Sequence, residues 1–435
     1  MMMPMALSPM IAALSLAAAP LPPAFDDLSH RAFNYFWEQS NPTTGLTLDR
    51  ASNLSNDVPH PEEPAKYTVA STAATGYALC AYAVGAERGW VDRKAAIDRT
   101  VHTLQWLNDH GLKEKGWFYH FINWQTGERV WNSEVSSIDT ALLLAGVVMT
   151  QAAFHDAGVD EQANRLYKAI DWNWMLTNDG KMPDQKTFCM GWHPEDGFIS
   201  ARWDHFYENP FFNILALGLD PDLPDSTWAG FERNPLSYKE YNFFNGGPMF
   251  IHEMSQDFLD MKGKRDSLGY DYWVESRNEI LATRQWCIDN PGGFKAYSAD
   301  IWGLNACDMP SGYGACAGFK TGDDNGTLMP QCVAGALMFV PDLAKSSIAA
   351  YRSQFPSAYG RYGFPNAINP TKDWTDPDVI GIDLGMMLLG IEDYRDGLPH
   401  RLMGSSPIVQ VGMKRAGFHS TKEGRVEDRK LFVAP

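Results

Sequence analysis

Residues 136–154, SSIDTALLLAGVVMTQAAF, decide the fold. After Asp139 the stretch carries no charge, and Leu142, Leu143, Leu144, Val147, Val148 and Met149 cover more than one face of any helix built on them. A helix that is apolar nearly all round belongs inside a larger helical assembly, not on its surface. Residues 71–85, STAATGYALCAYAVG, read the same way. Outward from these two, helical periodicity recurs at 26–40, 92–109, 160–176, 210–219, 252–262, 270–289, 329–353 and 382–395. Asp26 or Asp27 stands where the first of them needs an N-cap.

Strand-like alternation is confined to short pieces between these helices. The clearest are 116–131, GWFYHFINWQTGERVW, with QTGE as a hairpin turn, and the stretch at 190–198. No strand–helix rhythm runs along the chain, so a parallel α/β sheet is a poor fit. About a dozen paired helices with aromatic-rich loops predict an all-α architecture. The expected form is a closed toroid of helical hairpins with short β-hairpins in the inter-helix loops. Residues 25–410 form one domain on this reading, and 411–435 a C-terminal tail. An elongated helical solenoid is the alternative, but no fixed-period repeat supports it.

The chain has 435 residues, 45% of them hydrophobic, with a formal net charge of −17. The apolar fraction excludes wholesale disorder. The acidic excess, without a basic block, argues against nucleic acid or an anionic membrane as partner. Beyond the first two dozen positions no run reaches the ~20 uninterrupted apolar residues of a membrane span. Residues 1–24 differ from the rest: an apolar stretch from Met10 to Ala19 ends in small residues and then Pro20, Pro22 and Pro23. That is the layout of a short export signal, although no Lys or Arg precedes it. The expected location is periplasmic or secreted.

Cys80, Cys287 and Cys332 lie in apolar helical stretches and read as buried thiols. Cys307 and Cys316 bracket the loop CDMPSGYGAC, which a disulfide could close in an exported protein. No Cys/His spacing suits a metal. DDNG at 323–326 lacks the remaining ligand spacing of a calcium loop. Phosphate-loop, dinucleotide, metalloprotease and nucleophile-elbow motifs are absent. Neither a metal nor a cofactor is expected.

What remains is carboxylates among aromatics. Asp139 sits on the first turn of the 136–154 helix, behind Ser136 or Ser137 as cap. It is placed either to favour the helix dipole or to face a pore mouth. Glu208 lies between Trp203, Phe206, Tyr207 and Phe211; rings around a carboxyl desolvate it and raise its pKa toward that of a general acid. Asp383 heads another apolar helix. Two carboxylates across a cleft can cleave a glycosidic bond, one protonating the leaving oxygen and the other activating water. Arg50, Trp117, Phe118, His120, Trp302, Arg361 and Tyr362, with Trp203 and Tyr207 beside Glu208, are candidate sugar contacts.

These segments together resemble a known family. WEQSNPTTGLTLDR, GWFYHF, SSIDTALLLAGV, WDHFYE, IWGLNACD, DDNGTL and GRYGFPNAINP…DVIGIDLGMMLLGIEDYRDGL occur in the order found in the bacterial glucoamylase-like domain family. That family includes the β-1,2-glucanases of glycoside hydrolase family 144. The resemblance runs from about residue 26 to 403. It implies an (α/α)6 barrel, export, and hydrolysis of a β-glucan with inversion, the substrate being an oligo- or polysaccharide. It also implies Glu208 as acid and Asp139 as a catalytic or subsite acid; for the partner carboxylate Asp139 is the first choice and Asp383 the second. Three departures bear on specificity: Leu384 within GIDLG, Glu253 within HEMSQ, and Asn209-Pro210 directly after Glu208. A phosphorylase or transglycosylase on the same scaffold, a polysaccharide lyase and a non-catalytic glycan-binding protein are the alternatives. Oligomeric state is left open.

Overall fold

The inner helices of this chain announce themselves by burial. In the computed structural model, which describes residues 21–54, 67–421 and 429–434, the helices are α1 (Pro23–Gln39), α2 (Thr72–Arg88), α3 (Arg93–Asp109), α4 (Ser137–Phe154), α5 (Ala157–Ala169), α6 (Trp172–Thr177), α7 (Asn209–Leu219), α8 (Ser226–Ala229), α9 (Phe250–Phe258), α10 (Tyr272–Asp289), α11 (Pro330–Gly335), α12 (Pro341–Gln354), α13 (Gly381–Asp396), α14 (Leu398–Ser405) and α15 (Pro407–Arg415). Six of them, α2, α4, α7, α9, α11 and α13, are buried on nearly every face. The others are amphipathic. In α5 the buried residues are Val159, Gln162, Ala163 and Leu166, a spacing of three and four that makes one stripe.

The buried helices form the ring. α2 packs on α4, α4 on α7, α7 on α9, α9 and α11 on α13, and α13 returns to α2. Around them α1 covers α2 and α13, α3 and α5 cover α2 and α4, α12 covers α11, and α14 and α15 cover α4 and α7. This is the toroid that the helical pairing predicts, in the (α/α)6 form that the resemblance implies. One contact sets the ring's tightest point. A Cβ at Gly146 would stand 2.2 Å from the Gly76 carbonyl oxygen, and one at Gly76 2.5 Å from that of Leu142. Two glycines therefore let the backbones of α2 and α4 touch. By length and composition α4 could cross a membrane (18 residues, mean hydropathy 1.5), but 83% of it is buried inside the protein.

Short strand pairs cap one end of the ring. Arg50–Ser52 pairs antiparallel with Asp378–Ile380, placing Arg50 opposite Ile380. Val69–Ser71 pairs with Phe121–Asn123. Val135–Ser136 joins Gly191–His193, which pairs with Gly197–Phe198. The QTGE turn forms as expected, with Ile122 opposite Arg129. Three of these strands, Val69–Ser71, Val135–Ser136 and Asp378–Ile380, run straight into α2, α4 and α13. The pairs thus gather the N-terminal ends of inner helices at one face.

Several expectations are corrected. The helix expected at 160–176 is two, because Asp171 breaks the run and caps α6 through the Trp174 N–H. The stretch 329–353 is also two helices, parted by a 3₁₀ turn at Ala336–Met338 and by Pro341. α1 begins at Pro23 with Pro22 as N-cap. Asp27 instead takes hydrogen bonds from Arg31 and from the Tyr359 hydroxyl. The boundary expected at 410 falls inside α15, and His419–Ser420 pairs with Lys264–Arg265. The export signal expected at 1–24 lies outside the described residues up to position 20.

Cys307 and Cys316 are free thiols, as are the other four cysteines. The hairpin Ala306–Met309/Gly312–Ala315 sets Cys307 opposite Gly314, while the Cys316 N–H bonds the Asn305 carbonyl. The two cysteines are diagonal, not facing, and diagonal cross-strand positions lie ~7–8 Å apart, beyond the usual disulfide span.

Candidate active site

Five inner-helix N-termini meet at the capped face, and between them lies a cavity of about 380 Å³. Its polar wall is Asp49, Arg50, His120, Asp139 and Glu208. Its rings are Phe121, Trp131, Phe250 and Tyr313, and its floor is aliphatic, with Ile138, Leu142, Met254, Ile380 and Ile382. Helix N-termini carry partial positive charge from unpaired N–H groups, which favours carboxylates there.

Asp139 stands in the first turn of α4. Ser136 is the N-cap and accepts from the Asp139 N–H; its hydroxyl donates to Asp139 Oδ2 at 2.5 Å. His120 Nε2 lies 3.5 Å from Asp139 Oδ1, and His120 Nδ1 lies 2.9 Å from Glu134 Oε1. Burial raises the Asp139 pKa; His120 and the Ser136 hydrogen bond pull against it without cancelling it. Burial would lower His120, but Asp139, Glu134 and Asp49 outweigh it and hold the imidazole up at about 9. The ring is therefore a cation at neutral pH, clamped between two carboxylates.

Glu208 is the N-cap of α7, half-buried, its carbonyl accepting from the Ser255 hydroxyl at 2.9 Å. Burial among rings, then the nearby charge of Asp139, pushes its carboxyl up to about 7. A glutamate that keeps its proton near neutrality is suited to donate it.

Arg50 reaches Asp308 at 2.6 Å and Asp49 at 3.3 Å. Behind Asp308, the buried Asp376 is lifted to about 8, by burial first and by the Asp308 charge second. Asp383 is not on the cavity wall. It is buried one layer behind, where Asn366 Nδ2 donates to Oδ2 at 2.7 Å while Asn366 Oδ1 accepts from the Asp308 N–H. Burial pushes the Asp383 carboxyl well up, and through Asn366 it ties α13 to the 306–315 hairpin.

The other expected sugar contacts divide sharply. Arg50 and His120 line the cavity. Trp117, Phe118, Trp302 and Tyr362 are buried. Trp117 donates to the Asp171 carbonyl and meets Trp172 edge-on; the Trp302 carbonyl accepts from Tyr351; the Tyr362 hydroxyl donates to Glu38. These are core residues. Trp203 braces α4 through its indole N–H to Ser137 Oγ at 2.8 Å, with Tyr207 edge-on to it, and Arg361 pairs with Glu38. None of the three lines the cavity. Residues missed in the sequence are Asp49, Phe121, Trp131 and Tyr313. Asp49 and Phe121 adjoin Arg50 and His120 in the same motifs, a signal that was available. Trp131 lies in a turn and Tyr313 in a short Gly-rich strand, neither with a periodic signature.

Together these features define a carboxylate-based site at the mouth of a helical toroid, the class of fold found in glycan-active proteins. Residues 200–407 match the family model Glycoamylase, described as putative glucoamylase. The chain is 25% identical to the exo β-1,2-glucooligosaccharide sophorohydrolase (non-reducing end) of Parabacteroides distasonis. The match covers 90% of this chain and 57% of that relative, so the chain spans little more than half of its length. In structure it is similar to a putative glucoamylase of Bacteroides uniformis (26% identity, TM-score 0.81, covering 91% of this chain and 97% of that one). An endo-β-1,2-glucanase of Chitinophaga pinensis, in complex with sophorotriose and glucose, shares the fold at 24% identity (TM-score 0.80, covering 91% and 98%).

Proposed function

We propose that this chain is a glycoside hydrolase that cleaves β-1,2-glucan with inversion, Glu208 acting as general acid and Asp139 as the partner that activates water. The observation that carries the reading is that both carboxyls line one ring-walled cavity, and Glu208 holds its proton up to about pH 7. The similarity to a sophorohydrolase supports the β-1,2 linkage.

In a single displacement Glu208 donates its proton to the leaving glycosidic oxygen as the C–O bond breaks. Asp139 accepts a proton from the attacking water on the other face of the sugar. Direct water attack needs the two carboxyls ~6.5–9.5 Å apart. The raised pKa of Asp139 makes it a stronger base than an exposed aspartate, and the His120 cation steadies its ionised form. Arg50 and Asp49 are left to hydrogen-bond ring hydroxyls. Export, on the leader pattern of residues 1–24, would place the enzyme where it meets polymeric glucan.

The cavity's cations count against the rivals. Arg50 and His120 are both already paired with carboxylates, which leaves no unpaired cation on the cavity wall, among the described residues, for the phosphate of a phosphorolysis or the uronate of a lyase. The deciding experiment is a product profile on β-1,2-, β-1,3- and β-1,4-glucans, with polarimetry for the anomer released. Release of the α-anomer from β-1,2-glucan alone supports the reading. Binding without turnover on every glucan sinks it, and glucose-1-phosphate formed only with phosphate present would replace it with phosphorolysis.

A further inference from the structure

Two rings are the most exposed large aromatics among the described residues. Trp131 is 63% exposed and Tyr313 is 58% exposed, yet both line the cavity that holds Glu208 and Asp139. Neither position is set by core packing. Trp131 sits at φ +55°, followed by Asn132 at +49°, a left-handed pair in the turn before α4. Bulky residues disfavour that region, and one held there at a cavity mouth calls for a reason other than stability.

The two rings are mounted on different walls. Trp131 meets Phe121 edge-on at 5.1 Å between centroids, and Phe121 stacks on His120 at 3.7 Å. An aromatic wall thus runs from the His120–Asp139 pair out to the exposed indole. Tyr313 is carried by the 306–315 hairpin, between Gly312 and Gly314, directly opposite Asp308. Cross-strand partners share a face of a hairpin. Tyr313 therefore stands on the same side as the carboxylate that grips Arg50 at 2.6 Å.

A ring face beside charged hydrogen-bonding groups has the chemistry of a pyranose site. The sugar lays its C–H face on the negative π-cloud, while its hydroxyls point sideways to polar partners. We propose that Trp131 and Tyr313 are a pair of sugar-stacking platforms, one on each wall of the cavity mouth, which hold the glucosyl units flanking the one presented to Glu208. The inference rests on the glucan-hydrolase reading and adds the residues that set how long a chain the site prefers.

The test is a set of variants, Trp131→Ala, Tyr313→Ala and the double, assayed on β-1,2-linked glucose oligomers from the trimer upward with kcat and KM separated. Each single variant is expected to raise KM by about fivefold to tenfold on the longer oligomers, the size of one lost aromatic face contact. The loss grows with oligomer length, and Trp131→Phe or Tyr313→Phe restores most of it. A second readout is independent of turnover. In the Glu208→Gln protein, titration with the same oligomers changes the tryptophan fluorescence, and Trp131→Ala removes that change. Trp131→Gly relieves the left-handed backbone, so it melts no lower than wild type while losing affinity as the alanine variant does. If wild type cleaves the oligomers and all variants match it at every length, the platforms are overturned and the hydrolase reading stands. If wild type neither binds nor cleaves any β-1,2-glucan, the hydrolase reading itself is overturned, and the platforms with it.

Discussion

His120 and Asp139 stand 3.5 Å apart, imidazole Nε2 facing carboxylate Oδ1, across the junction where the Phe121–Asn123 segment approaches the head of α4. The pair divides the proton work of the site: the ring stays charged up to about pH 9, and that charge opposes the burial that would keep Asp139 neutral. Glu208 has no such cation and keeps its proton. Burial raises both carboxyls in the cavity, but only Asp139 has a cation beside it pulling the other way.

Replacing Glu208 by Gln should abolish most hydrolysis. The amide keeps the shape of the protonated acid but cannot donate in the same way, so kcat on β-1,2-glucan is expected to fall about 10²–10⁴-fold. Substrate binding and circular dichroism should be retained. A variant with near wild-type kcat would remove Glu208 from the mechanism.

In the wild type, the alkaline limb of kcat should lie near pH 7. Glu208 acts only while protonated, and its folded-state pKa is about 7, so activity falls as pH rises through that value. A profile flat to pH 9 would contradict the assignment.

His120→Gln takes away the cation beside Asp139. Burial then raises the Asp139 pKa unopposed, and the basic form is populated only at higher pH. The acid limb of the kcat profile should move upward while the alkaline limb stays in place. An unmoved acid limb would show that His120 does not tune the base.

Asp376 gives a stability prediction whose sign follows from linkage. Its folded-state pKa is raised from 3.8 to about 8. Between those values the folded chain keeps a proton that the unfolded chain has released, so stability falls as pH rises through the window. Asp376→Asn removes that term. The difference in melting temperature between pH 5 and pH 9 should shrink in the variant; an equal or larger difference would refute the shift.

With all six cysteines free, reductant should leave the melting temperature unchanged. Denatured protein alkylated without prior reduction should gain six adducts by mass spectrometry. Four adducts would point to a bridge between Cys307 and Cys316.

The helices were legible because their signal is local. Leu142 to Met149 must be buried on every side whatever surrounds them, and a ring of such helices is the arrangement that does so. Asp139 and Glu208 were legible for the same reason, since each marks a helix start among rings. Asp383 misled because a helix head looks alike whether it opens on the cavity or lies one layer behind; only Asn366, seventeen positions earlier, decides it. Trp117 and Trp302 misled because a tryptophan in a loop motif shows nothing of its depth. Trp131 and Tyr313 stayed silent because one sits in a turn and the other in a four-residue Gly-rich strand, too short to show a period.

The pairing of Arg50–Ser52 with Asp378–Ile380 has a kinetic consequence. It joins segments more than three hundred positions apart, and it seats Arg50 against the start of α13. Closing so long a loop carries an entropic cost that must be met before the contact is formed, and folding slows as contacts become more distant in sequence. Helices α2 and α4 can associate earlier, since only the 48 residues 89–136 separate them. The wall of the cavity that holds Arg50 is completed only when the last inner helix returns to the first. A growing or truncated chain can therefore hold much of its helix yet lack a finished cleft, and activity should be the last property to appear on refolding.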